Sequence, residues 1–79
     1  MTTPTPTPLH VELKSTSLAA ATYDHAGRLR LDFLDGSRYD YFGVPMQTFH
    51  DLLRAPSKGK FFNTEIRKRF HYVKRVDEN

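Results

Sequence analysis

An alternation of apolar and charged residues over 28–34 constrains the fold of this chain more than any other feature. Apolar residues at every second position are separated by arginines and an aspartate, the period-two pattern of a strand with one buried and one solvent-facing side. A second stretch, 38–42, repeats the spacing with two tyrosines, just beyond Asp35 and Gly36. Together the two stretches predict an antiparallel hairpin.

The length of the hairpin loop decides which side chains share a face. A two-residue turn would set Leu31 opposite an aspartate and mix apolar with charged groups. A three-residue loop ending at Gly36, with that glycine in the left-handed conformation, pairs Leu31 with Tyr39 instead. The same register sets Leu29 opposite Tyr41. Because a slip of one residue moves every side chain to the other face, we predict the three-residue loop and two tyrosines that face the core.

Other segments predict two further strands and an amphipathic helix. One strand is expected at 17–23, before the hairpin, and a last one at 70–76. Over 46–53, apolar residues recur at positions i, i+3, i+6 and i+7, which is typical of one face of a helix. Ala55 and Pro56 are expected to end that helix.

Between this helix and the last strand, the sequence predicts a basic loop and a short helix. Residues 57–60 are interpreted as a flexible loop. Asn63 is a predicted N-cap for a helix over 64–69. The predicted fold is therefore α+β: a small antiparallel sheet, made of a three-stranded meander plus a C-terminal strand, with one amphipathic helix and one short helix.

The chain of 79 residues is expected to hold a single domain. We predict a disordered Thr/Pro tail at 1–9, the domain at 10–76 and an acidic tail at 77–79. Cysteine is absent, which excludes disulfides and thiolate metal sites. Because the sequence shows neither a signal-peptide pattern nor an apolar run of membrane-spanning length, we expect a cytoplasmic protein without a membrane partner.

Positive charge is concentrated in one segment. Residues 54–76 carry eight Lys and Arg against Glu65 alone, a formal charge of +7. Such a block favours an acidic partner, and Gly59 with the predicted Asn63 cap would let the backbone approach a phosphate. The candidate nucleic-acid-binding residues are Lys58, Lys60, Arg67, Lys68, Arg69, Lys74 and Arg75. Solvation of a surface, or contact with a protein, remains an alternative interpretation of the same charges.

Catalysis, metal binding and cofactor binding have little support in the sequence. His50 and Asp51 are neighbours on the predicted helix, where adjacent side chains do not face each other, and no base can be assigned to Ser57. The four histidines lack the i, i+3 or i+4 spacing of helical metal ligands. We therefore expect no enzyme activity, no catalytic residue, no metal and no cofactor.

Several short motifs follow one another along the chain in a characteristic order: Tyr23-Asp24, Leu29-x-Leu31-x-Phe33, Gly36, Tyr39-x-Tyr41, Val44-Pro45, Ala55-Pro56-Ser57-x-Gly59 and Phe62-Asn63-x-x-Ile66-Arg67. Over roughly residues 12–75, this arrangement resembles the KTSC domain, a module named for its place at the C-terminus of some lysyl-tRNA synthetases and also found as a stand-alone bacterial protein. The resemblance implies no established activity, and it suggests RNA binding only through the synthetase neighbour. Tyr39 and Tyr41 match the Tyr-x-Tyr signature, whereas Pro56 departs from the family pattern.

From these observations we expect a small non-catalytic binding module. The expected partner is RNA, either tRNA-like or single-stranded, or another polyanion, bound through the basic segment. Tyr39 and Tyr41 are candidates either for stacking on bases or for a structural role in the core. The alternative is a module that binds another protein.

Overall fold

The computed structural model describes residues 7–75, so residues 1–6 of the predicted N-terminal tail, Val76 and the predicted acidic tail lie outside the described residues. The elements along the chain are β1 (Leu9–Glu12), β2 (Leu18–Tyr23), β3 (Leu29–Phe33), β4 (Arg38–Phe42), α1 (Met46–Arg54), α2 (Lys58–Phe61) and β5 (His71–Arg75). A π-helical turn, Phe62–Ile66, continues α2 without a break. Across residues 7–75, no helix is both long and apolar enough to span a bilayer.

The strands form one antiparallel sheet in the order β1-β2-β3-β4-β5. This confirms the predicted α+β class, but the predicted count of four strands is wrong because β1 pairs with β2 as a fifth. β1 has only four residues, and Val11 alone among them is partly buried. Two apolar residues beside a Pro-rich segment are too few to make a period-two pattern recognisable.

The hairpin has the predicted register. Leu29 pairs with Tyr41 and Leu31 with Tyr39. The loop closes where the N–H of Phe33 donates to the carbonyl oxygen of Ser37 at 2.9 Å, which leaves three residues between them. Gly36 has a φ of +93°, a conformation that L side chains rarely adopt, so the glycine allows the chain to reverse at this loop length.

One face of the sheet carries the core. Its buried residues from β2, β3 and β4 pack with α1, the π-helical turn and Val44; they are Leu18, Ala21, Tyr23, Leu29, Leu31, Tyr41, Val44, Phe49, Leu52, Phe62 and Ile66. Phe49 of α1 stacks on Tyr23 with ring centroids 5.1 Å apart. The Tyr23 hydroxyl donates to the carbonyl oxygen of Val44 at 2.6 Å, so the polar end of this buried ring has a partner.

The opposite face carries a buried carboxylate. Asp40 is 1% exposed and lies between two arginines from the neighbouring strands. Arg30 of β3 contacts one of its oxygens at 3.1 Å, and Arg75 of β5 contacts the other at 3.2 Å. This cluster links β5 to the rest of the sheet through side chains as well as through the backbone ladder.

The segment 57–69 differs from the prediction. Residues expected to form a flexible loop form α2 instead, because Ser57 accepts a hydrogen bond from the N–H of Lys60 and caps the helix. Gly59 lies so close to Ser17, the residue before β2, that a Cβ there would be 2.6 Å from Ser17 Oγ, so it serves packing rather than flexibility. Asn63 lies inside the continuous helical segment, and its predicted capping role is wrong. A strong cap at Ser57 starts the helix six residues earlier than Asn63 would.

Candidate functional site

A cleft of about 470 Å³ opens between the core face of β4 and β5 and the end of the π-helical turn. Its lining combines aromatic rings, two cations and one carboxylate: Phe33, Asp35, Ser37, Tyr39, Tyr41, Phe62, Arg67, Lys68 and Tyr72. The volume falls in the range of about 300–1,000 Å³ that is typical of ligand sites. Since aromatic faces and charged groups converge here, this cleft is the candidate site.

Three tyrosines from two strands form the aromatic part of the cleft. Tyr39 and Tyr41 share a face because side chains alternate along β4, and Tyr72 of β5 pairs with Tyr41 across the ladder. The Tyr72 ring centroid is 5.7 Å from that of Tyr39 and 5.6 Å from that of Tyr41. Their exposure differs sharply: Tyr41 is 2% exposed and Tyr72 is 51% exposed. Tyr41 therefore belongs to the core, and Tyr72 offers its ring to solvent.

Burial raises the pKa of Tyr41 to about 12, with further contributions in the same direction from neighbouring Tyr39 and Tyr72. The positive charge of Arg67 works in the opposite direction. The phenol of Tyr41 therefore keeps its proton at neutral pH and forms an uncharged part of the cleft lining.

Raising the pH is expected to destabilise the fold between 10.0 and about 12. In the unfolded chain Tyr41 ionises near its ordinary value of 10.0, whereas in the folded chain it keeps its proton up to about 12. Its contribution to stability is therefore complete below pH 10 and is lost as the pH rises through this window. Urea unfolding at stepped pH measures the effect. Tyr41→Phe has no proton to lose and should show a shallower fall, and a fall as steep as in the parent chain would contradict the assignment.

Cations lie on two sides of the tyrosines. Arg67 and Lys68 follow the π-helical turn and line the cleft, and both are exposed. Lys74 of β5 lies over the Tyr39 ring, with its Nζ 5.9 Å from the ring centroid, a cation–π geometry. Within residues 7–75, none of the three forms an ion pair with a carboxylate. Arg67 and Lys68 are therefore available to an external anion, whereas the charge of Lys74 also acts on Asp35, the carboxylate of the cleft, and lowers its pKa.

Asp35 is the acidic group of the cleft. Its Oδ1 accepts hydrogen bonds from the hydroxyl of Ser37 at 2.6 Å and from the N–H of Ser37 at 2.9 Å. The two bonds hold the pKa of Asp35 below its ordinary value, so the group is a carboxylate at neutral pH. Because Oδ1 is held by the loop, the orientation of the carboxylate is fixed before any ligand arrives.

The remaining predicted basic residues do not converge on the cleft. Lys58 donates from Nζ to the carbonyl oxygen of Ala55 at 2.9 Å, and Lys60 is exposed on α2 outside the cleft lining. Arg69 contacts Glu65 at 3.8 Å. Arg75 lies on the opposite face of the sheet with Asp40. The structure thus places Arg67 and Lys68 in the cleft lining and Lys74 beside the cleft, over Tyr39, and separates the other four.

Tyr72 and Asp35 were absent from the predicted site. A signal for Tyr72 exists in the sequence, since Tyr72 and Lys74 are two residues apart in a predicted strand and must share a face. That face lies beside Tyr41 only because β4 pairs with β5, and the two strands are separated in the chain by both helices. Asp35 was interpreted only as a turn residue, because its position beside the cleft depends on the same pairing.

A five-stranded antiparallel sheet with two helices defines a small α+β domain with an aromatic, basic cleft. The KTSC domain model matches residues 14–70. The chain belongs to the KTSC family, which confirms the resemblance seen in the motifs.

Similar proteins include both stand-alone chains and a synthetase. A protein from Tsukamurella paurometabola is 42% identical over 62 residues, which cover 77% of this chain and 92% of that protein. A lysine–tRNA ligase from a Nostoc species is 46% identical over 44 residues, 56% of this chain but 8% of the ligase. The crystal structure of a KTSC domain protein from Yersinia pestis superposes with a TM-score of 0.81 at 28% identity, covering 89% of this chain and all of that one.

Proposed function

We propose that this chain is a non-catalytic, cytoplasmic module that binds RNA through the cations around the cleft. The observation that carries the proposal is the convergence of Arg67, Lys68 and Lys74 beside exposed aromatic surface. Phosphate groups along a nucleic-acid backbone are the anions that such a group of cations attracts most generally. Aromatic rings beside them suit single strands, because unpaired bases expose their faces.

The relatives support RNA over other polyanions. Three of the similar proteins are named lysine–tRNA ligases, and by their name their substrate is a tRNA. The region of this chain that resembles them makes up 8% of each ligase, so it is an appendage of a much larger enzyme. A module attached to a tRNA-charging enzyme is well placed to add contacts with RNA, and we propose the same role for this chain.

The proposal predicts binding that weakens with salt. Each phosphate neutralised on a single strand contributes a slope of about −0.7 to the dependence of log affinity on log salt concentration. Contacts from Arg67, Lys68 and Lys74 would give a total slope near −2 by the same rule. Fluorescence anisotropy of a labelled single-stranded RNA and of a tRNA over a series of salt concentrations measures this slope.

Two variants test whether the salt dependence arises from the cations of the cleft. Lys68→Ala is expected to weaken RNA binding and to reduce the size of the slope by about 0.7. Lys14→Ala is the matched control, since Lys14 is also exposed but lies between β1 and β2, on the side of the sheet away from β5. Absence of RNA binding at micromolar protein, or equal losses in the two variants, would rule out this function.

One observation favours a protein partner as the second candidate. β5 lies at the edge of the sheet and all five of its residues are exposed, including Val73 at 48%. An exposed edge strand can pair with an extended segment of another protein. A stoichiometric protein partner whose binding resists both nuclease and salt would favour this role over RNA binding.

A further inference from the structure

We propose that the cleft binds a single unpaired nucleotide, whose base stacks on Tyr72 while its phosphate contacts Arg67 and Lys68. This inference rests on the proposed RNA-binding function and deepens it. The charge-based proposal requires only that cations lie on one surface, whereas a base site requires an accessible ring and polar groups placed around it.

Tyr72 is the ring that a base can reach. Tyr41 is 2% exposed, and Tyr39 is partly buried, with the ammonium group of Lys74 5.9 Å from its ring centroid. The centroid distances of 5.6 and 5.7 Å from Tyr72 to the other two tyrosines mean that the rings already contact one another. A base therefore cannot insert between them, and it stacks on the exposed side of Tyr72.

The rest of the lining matches the other parts of a nucleotide. Arg67 and Lys68 supply positive charge for a phosphate, and Arg67 adds a planar guanidinium suited to phosphate oxygens. Asp35, oriented by Ser37, supplies an acceptor for an N–H group on the edge of a base. Aromatic face, anion and N–H donor occur together in one nucleotide, while a simple polyanion such as a phosphate chain offers only the anion.

The geometry also selects for single strands. Base faces in a duplex are covered by neighbouring base pairs, so a duplex cannot present one to Tyr72 without unpairing. Because Tyr72 is the ring of this cleft that a base can reach, the cleft holds one base, and the strand on either side is held by charge alone. The same chemistry occurs in a free nucleoside monophosphate, so the test includes both sources.

The first experiment compares a short single-stranded RNA with the duplex of the same sequence by anisotropy. Tyr72→Leu is expected to weaken binding of the single strand by about 5- to 150-fold, the range of base–aromatic stacking, and to leave duplex binding unchanged. Tyr72→Phe keeps the ring and should retain the affinity. Phe42→Leu is the matched control, since Phe42 is an exposed aromatic of neighbouring β4 on the opposite face, 38% exposed.

The second experiment uses the unchanged chain and needs no variant. Adenosine 5′-monophosphate is expected to shift the ring resonances of Tyr72 together with the amides of Arg67 and Lys68. Ribose 5-phosphate should shift the amides of the two cationic residues and leave the Tyr72 ring resonances unchanged. The same titration is made with the single-stranded RNA. Shifts of Tyr72 by the RNA but not by adenosine monophosphate would assign the site to nucleotides within a chain, and shifts by both ligands would extend it to free nucleotides.

The outcomes separate this inference from the function on which it rests. Absence of salt-dependent RNA binding overturns both. Salt-dependent binding that is equal for single strand and duplex, and that is unchanged in Tyr72→Leu, overturns the nucleotide site and leaves the RNA-binding module standing. Identical shifts from adenosine monophosphate and ribose 5-phosphate would likewise reduce the cleft to a phosphate contact.

Discussion

Replacing Phe49 by alanine is expected to lower the free energy of unfolding by about 3–5 kcal/mol. Phe49 is 1% exposed, and its ring stacks on Tyr23 at 5.1 Å with an angle of 13° between the planes. Its loss leaves a cavity between α1 and the sheet. Small domains have free energies of unfolding near the lower end of about 5–15 kcal/mol, so this single change removes most of the stability of the fold.

Urea unfolding followed by circular dichroism measures the loss. His50→Ala is the control, because His50 is the next residue of α1 and is exposed, so the same truncation there removes little buried surface. A loss below about 1 kcal/mol for Phe49→Ala would be far outside the range for a large-to-small change in a core. It would show that α1 does not pack on Tyr23 as described.

Replacing Asp40 by alanine is expected to cost about 3 kcal/mol, the lower end of the range for breaking a buried ion pair. The two arginines that contact Asp40 remain after the change and lose their common partner. The side chains of Arg30 and Arg75 are 34% and 49% exposed, so water stabilises them in part and the cost stays at the low end. Because Arg75 belongs to β5, the amides of that strand should also lose protection from hydrogen exchange.

Asp51→Ala provides the matched comparison for this prediction. Asp51 also contacts an arginine, Arg54, at 2.9 Å, but both side chains lie on the surface of α1. Exposed pairs of this kind contribute little to stability, so the variant should unfold close to the parent chain. Equal behaviour of the two aspartate variants would show that burial of the Asp40 carboxylate has no energetic consequence.

The hairpin could be predicted in detail because its information is local. Alternation in β3 and β4, together with one glycine in the loop, leaves a single register that keeps apolar residues on one face. The orientation of Tyr39 and Tyr41 follows from that register. Two features were not predicted, the short strand β1 and the capping role of Ser57. The local sequence signal for each comes from few residues. Packing against β2 positions β1, and packing against Ser17 positions the helix that Ser57 caps.

The distribution of charge could not be predicted from the charge total. Lys74 and Arg75 are adjacent in sequence, yet strand alternation sends them to opposite faces of the sheet, one over Tyr39 and one to Asp40. Arg69 forms an ion pair with Glu65, four residues earlier in the chain. A segment with a formal charge of +7 therefore delivers only part of that charge to the cleft. The pairing of β4 with β5, which creates the cleft, joins residues 29 to 37 positions apart in sequence, and local patterns carry no information about it.

The sequential order of the strands sets the distance between the two sheet edges. β1 and β5 are separated by three strands, so they lie about 19 Å apart at the usual spacing of about 4.8 Å between neighbours. A fusion partner, fluorophore or surface tether joined ahead of β1 would therefore attach at the margin remote from Tyr72. Labelled or immobilised forms made in this way should leave the cleft unobstructed, whereas attachments that follow β5 would crowd it.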